Sequence, residues 1–151
     1  MTEANDAIVI HRTIAASPER LFRAFTRPEQ LARWMSPVGH AEVEVDLRLG
    51  GALRVAMIGD GVRIEHIGQF LELDPPHRLA FTWQSDYTGG VATRVIVDLV
   101  ETTGGTATDL TLRHELLPAS ARASHAGGWG AMLDRLAAVT AAAHQEVSHG
   151  A

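Results

Sequence analysis

A chain of 151 residues, 46% apolar and 21% charged with a net charge of −5, has the size and balance of one soluble globular domain spanning 1–151, with about 1–6 and 148–151 expected to fray. All 13 basic residues are scattered arginines, which argues against nucleic acid as a partner, and no apolar run approaches the roughly 20 residues of a membrane span. Without cysteine there is no disulfide framework, thiolate metal site or cysteine nucleophile, and the opening Met-Thr-Glu-Ala-Asn-Asp lacks a basic and apolar leader, so a cytoplasmic protein is expected.

Residues 7–15 alternate in part (Ile8, Ile10, Arg12, Ile14) and predict a strand. Ser17-Pro18-Glu19 then combines an N-cap, a proline at the first helical position and an acid in the first turn. The short helix it starts carries Leu21, Phe22 and Phe25 on one stripe. Thr26-Arg27-Pro28-Glu29 repeats the signal for a second short helix with Leu31, Trp34 and Met35, ended by Ser36-Pro37-Val38-Gly39. Strands follow over 42–49, 53–58, 62–73, 79–84, 91–101 and 106–117, separated by turn residues. Asp46, Arg48 and Gly50-Gly51 read as a bend, with Arg48 available for an ion pair. Pro118 precedes a helix over about 119–147.

Two hairpins can be put in register. With Gly104-Gly105 as central turn residues, Leu99 faces Leu110, Val97 faces Leu112, Val95 faces His114 and Arg94 lies opposite Glu115. A two-residue turn at Gly59-Asp60 or Asp60-Gly61 puts Leu53, Val55 and Met57 on one face with Ile64, His66, Gly68 and Phe70. A slip of one residue would mix the faces. His66 and His114 are thereby candidates for the inner face of one sheet.

The final helix carries Trp129, Met132, Leu133 and Leu136 at i, i+3, i+4 and i+7, yet also glycines at 127, 128 and 130. Each glycine costs a helix interior about 1 kcal/mol relative to alanine. The expected compensation is close approach of the helix backbone to another surface, a sheet that grips it.

An α+β order of strand, two short helices, six strands and one long helix, with the curved antiparallel sheet covering its apolar face by that helix, resembles the START-like, or SRPBCC, helix-grip fold. The segments Ser17–Trp34, Asp46-Leu-Arg-Leu-Gly-Gly, Asp74-Pro-Pro-His-Arg-Leu-Ala-Phe-Thr-Trp, Thr108-Asp-Leu-Thr-Leu-Arg-His and Gly128-Trp129 narrow the likeness. In that order they resemble the branch related to the C-terminal domain of the activator of heat-shock-protein-90 ATPase, over about 7–146. Met35 departs from it, since many relatives carry a second tryptophan there. The resemblance implies a cavity under the long helix.

Chemistry is less distinct. Eight histidines lack metal-ligand spacing, so no metal and no cofactor are expected, and His144 and His149 read as solvated. No serine stands in a nucleophile elbow. His66 and His114 are the catalytic candidates, as cavity imidazoles that could move a proton, against the plainer reading that each makes a hydrogen bond in the core. The expected apolar ligand wall comprises Trp34, Met57, His66, Phe70, Phe81, Trp83, Val95, Val97, Leu112, His114, Trp129, Met132, Leu133 and Leu136; the same side chains could equally be core. The leading expectation is a protein that binds a small hydrophobic or aromatic molecule. A chaperone-cofactor-like interaction module and a polyketide cyclase- or dehydratase-like enzyme using a cavity histidine remain alternatives, and a homodimer stays open.

Overall fold

The computed structural model describes residues 7–37, 39–102, 104 and 106–150, with side chains of the last helix as far as Ala141. Of the segments expected to fray, 1–6 and Ala151 lie outside the described residues, as do the side chains of His144 and His149 and the turn residue Gly105, whereas the backbone of 148–150 continues the last helix.

Strand β1 (Ile8–Ile14) leads into α1 (Pro18–Thr26). The Ser17 hydroxyl accepts the Arg20 amide at 3.1 Å, and Pro18 occupies the first helical position, where an amide would have no partner. Helix α2 (Pro28–Trp34) starts at a second proline. The two short helices lock together through Trp34, which meets Phe25 edge-to-face at 4.8 Å and donates its indole N–H to the Ala24 carbonyl at 2.9 Å.

The remaining strands are β2 (His40–Val45), β3 (Ala52–Gly59), β4 (Val62–Asp74), β5 (Arg78–Trp83), β6 (Thr93–Glu101) and β7 (Thr108–Glu115). Each pairs antiparallel with the next, and β1 adds to β7, giving one curved seven-stranded sheet in the order β1-β7-β6-β5-β4-β3-β2. Both hairpin registers agree with the sequence reading. Val95 faces His114 and Leu99 faces Leu110, while Arg94 meets Glu115 at 2.7 Å. Val55 faces His66 and Met57 faces Ile64 around the two-residue turn Asp60-Gly61. Both turn residues have positive φ, 54° and 75°, the geometry that matches the twist of the flanking strands.

Strand β2 ends at Val45, short of the expected Leu49. The chain there folds into a turn in which the Arg48 amide donates to Asp46 and the Gly51 amide to Arg48. Arg48 pairs with Asp46 at 2.8 Å, and a Cβ on Gly51 would fall 2.0 Å from the Asp46 carbonyl oxygen. In β4 the register shifts between Phe70 and Glu72, so Leu71 turns outward and Phe70 stays in the core.

After Pro118 and a single 3-10 turn (Ala119–Ala121), helix α3 runs from Arg122 to Gly150. Trp129, Met132, Leu133, Leu136 and Thr140 form its buried face, which joins the core with Val95, Val97, Leu99, Leu110 and Leu112. Burial of each large apolar side chain is worth about 1.5–3 kcal/mol, and this contact holds the helix on the sheet. Arg135 ties it sideways by donating to the carbonyls of Ser36 and Gly39.

The helix glycines differ from the sequence expectation. A Cβ on Gly127 or Gly128 would meet no atom within 4 Å, and one on Gly130 would meet only the Arg12 guanidinium at 3.7 Å. They do not bring the α3 backbone against the sheet. What lies beside Gly128 is open space.

Candidate functional site

That space is a cavity of about 190 Å³ between the sheet and the N-terminal half of α3. The sheet supplies Met57 from β3, His66 from β4 and Trp83 from β5; the helix supplies Ser124, His125, Gly128, Trp129 and Met132. Pro37, after α2, and Tyr87, in the loop after β5, stand at the rim. Tyr87 is positioned by a 3-10 turn (Asp86–Thr88) whose Ser85 hydroxyl accepts the Tyr87 amide at 3.0 Å, and it is 55% exposed. An adjoining cleft of about 230 Å³ shares Pro37, Met57 and Tyr87 and continues outward over Ile58, Val62 and Ile64. Together the two spaces reach the lower end of the roughly 300–1,000 Å³ usual for ligand pockets.

Five expected wall residues line the cavity: Met57, His66, Trp83, Trp129 and Met132. The structure places the other nine elsewhere. Phe70, Phe81, Val95, Val97, Leu112, Leu133 and Leu136 are packed in the core, His114 lies beneath Trp129, and Trp34 is held between the short helices. Sequence reading missed Ser124, His125 and Gly128. The signal was present, because His125, Trp129 and Met132 are spaced i, i+4 and i+7 on one face. Tyr87 and Pro37 come from loops, where no periodicity points to a site.

The two candidate histidines have different surroundings. The Trp129 indole can only donate, so its 2.9 Å bond to His114 Nδ1 fixes that nitrogen as an acceptor. The proton of the neutral ring is then on Nε2, which donates to the Thr93 hydroxyl at 2.7 Å; that hydroxyl in turn donates to the Trp83 carbonyl. Every donor and acceptor in the relay is used, and His114 is fully buried. Burial, assisted by repulsion from His125, pushes His114 down to about 3.

His66 is 3% exposed and stacks on Trp83 with ring centres 4.6 Å apart and planes 25° from parallel. Its Nδ1 is the one buried side-chain polar atom without a hydrogen-bond partner among the described residues. Burial is the main reason its pKa is pushed down to about 4, so this ring too is neutral at pH 7. His125 sits at the edge, its ring centre 5.3 Å from that of His114. Its Nδ1 donates to the Ala121 carbonyl at 2.9 Å, which leaves Nε2 free of that bond. No acidic side chain or arginine lines the cavity. The arrangement can therefore hold an apolar molecule and offer it a few hydrogen-bonding groups.

Similar proteins place the chain. Residues 15–141 match the family described as activator of Hsp90 ATPase homolog 1-like protein. A protein of Chromobacterium violaceum shares 30% identity over 90% of this chain and 97% of its own, with a TM-score of 0.77. CalU16 of Micromonospora echinospora shares 26% identity over 95% and 82% of the two chains, with a TM-score of 0.70. An Hsp90 activator of Plasmodium falciparum shares 27% over 74% of each, with a TM-score of 0.60. No curated protein is detectably similar. With the helix-grip architecture and the family pattern running through most of its length, the chain belongs to the activator of Hsp90 ATPase homolog 1-like family.

Proposed function

We propose that this protein binds a small hydrophobic or aromatic molecule in the cavity under α3, acting as a single-domain protein of the cytoplasm. The observation that carries the reading is the apolar cavity walled by Trp83, Trp129, Met57 and Met132, with a buried imidazole, His66, whose Nδ1 has no protein partner. A buried polar atom left unpaired costs about 1–3 kcal/mol, and a ligand that bonds to it recovers part of that cost. Two tryptophans on the wall make binding observable. A panel of apolar and aromatic compounds should contain members that saturably change tryptophan fluorescence and raise the melting temperature in proportion to occupancy. Fluorescence and melting unchanged across the whole panel would falsify the reading.

The likeness to an Hsp90 activator of Plasmodium falciparum supports a second reading, a module that docks on a chaperone. Adding the protein to purified Hsp90 and measuring ATP hydrolysis tests it, and an unchanged rate counts against it. The enzymatic alternative has less support, since both nitrogens of His114 are committed inside the core. His66 is the catalytic candidate that also meets the cavity.

A further inference from the structure

Resting on the binding reading and narrowing it, we infer that the cavity is built for a neutral, planar aromatic molecule bearing a hydroxyl group, its ring against the bare α3 backbone at Gly128 and its hydroxyl at the His66 and His125 imidazoles. Charge comes first. The lining holds no arginine, aspartate or glutamate, so a carboxylate, phosphate or ammonium would enter without a permanently charged partner, a costly arrangement. Surface comes next. His66 and Trp83, stacked on each other, give the cavity aromatic surface from the sheet, and Trp129, 5.8 Å from Trp83 and tilted by 44°, adds it from the helix side. Aromatic surface on both sides favours an aromatic guest.

Gly128 sets the depth of that cavity. Its φ is not positive and a Cβ there would touch nothing within 4 Å, so neither backbone geometry nor packing against the protein requires glycine. It does line the cavity, and a side chain there would take up volume that a guest could use. An apolar cavity of about 150 Å³ takes up benzene; about 190 Å³ suits one to two fused rings.

The hydroxyl follows from hydrogen-bond supply. A neutral imidazole presents one donor and one acceptor. His66 Nδ1 has no protein partner, and His125, whose Nδ1 donates a hydrogen bond to the Ala121 carbonyl, keeps Nε2 for a guest. A hydroxyl both donates and accepts, so it can meet either ring. A hydrocarbon leaves His66 Nδ1 as it is, and an ether oxygen can only accept.

The test titrates the full chain with naphthalene, 1-naphthol and 1-naphthoate, read by tryptophan fluorescence. Naphthol should bind about tenfold more tightly than naphthalene, the order of one buried hydrogen bond, and naphthoate more weakly than either. His66→Phe and His125→Phe should each reduce the naphthol preference and leave naphthalene affinity within about twofold. Gly128→Val should weaken both ligands at least about tenfold, with Gly128→Ala intermediate, while the melting temperature does not fall; Gly127→Ala should change neither affinity. Naphthalene that binds as well as naphthol, or a preference that survives in both histidine variants, overturns the hydroxyl assignment and leaves the binding reading standing. Unchanged affinities in Gly128→Val overturn the seat at Gly128. Failure of all three probes to bind overturns this inference alone, because the wider panel tests the binding reading.

Discussion

His66 and His114 stand on the same inner face of one sheet, one strand and two strands from its middle strand respectively, and both are neutral at pH 7. Around His114 the protein closes its own hydrogen bonds, indole to imidazole to hydroxyl to carbonyl. Around His66 it leaves Nδ1 unpaired, and the cavity begins there. Burial alone therefore does not mark a binding group. What separates the two is whether the surrounding side chains can satisfy the ring without a guest.

Acid treatment gives the largest expected effect. Each ring has an ordinary pKa of 6.5, pushed down to about 4 for His66 and about 3 for His114. Below pH 6.5 the unfolded chain takes up protons that the folded one refuses, so stability is full above that pH and falls as pH drops. The slope approaches roughly 1.4 kcal/mol per pH unit for each histidine. Both contribute down to about pH 4, and His114 continues to about pH 3. Urea unfolding at pH 7, 6 and 5 measures the slope, and His66→Phe should remove its share; an unchanged slope in that variant would contradict the shift.

Substitution sharpens the contrast at fixed pH. His114→Ala should cost about 3–5 kcal/mol, combining a cavity with a stranded Trp129 N–H. His66→Phe should fall within about 1 kcal/mol of the parent, because it removes a polar atom that had no partner. Equal losses in equilibrium unfolding would erase the distinction. The smallest effect is Gly127→Ala, which meets open space and should raise stability by about 0.5–1 kcal/mol.

The fold was legible because its signals are local. Ser17-Pro18-Glu19 marks a helix start by itself, and Asp60-Gly61 fixes which face His66 takes. The site was legible only where a strand or helix period carried it, as for Met57, Trp83 and Trp129. Tyr87 arrives on a loop turn set by Ser85, and no period runs through that loop. The fate of His114 depended on Thr93, 21 residues away in sequence, and face parity does not reveal such a partner. The helix glycines showed that something was unusual in α3. Their spacing could not distinguish close packing from empty space.

The strand order also sets how the molecule is assembled. From β2 to β7 every strand lies beside its neighbour in sequence, so that meander can zip up through short loops, each closed at little entropic cost. Strand β1 is the exception: Ile8 pairs with His114, with β2 to β6 lying between the two in sequence. Its docking must await β7, and a chain in which it has not yet docked presents β7 as a naked border with alternating apolar residues. Such borders recruit other chains. The first strand thus acts as a seal, and N-terminal truncation through Ile14 would be expected to show itself first as aggregation during refolding.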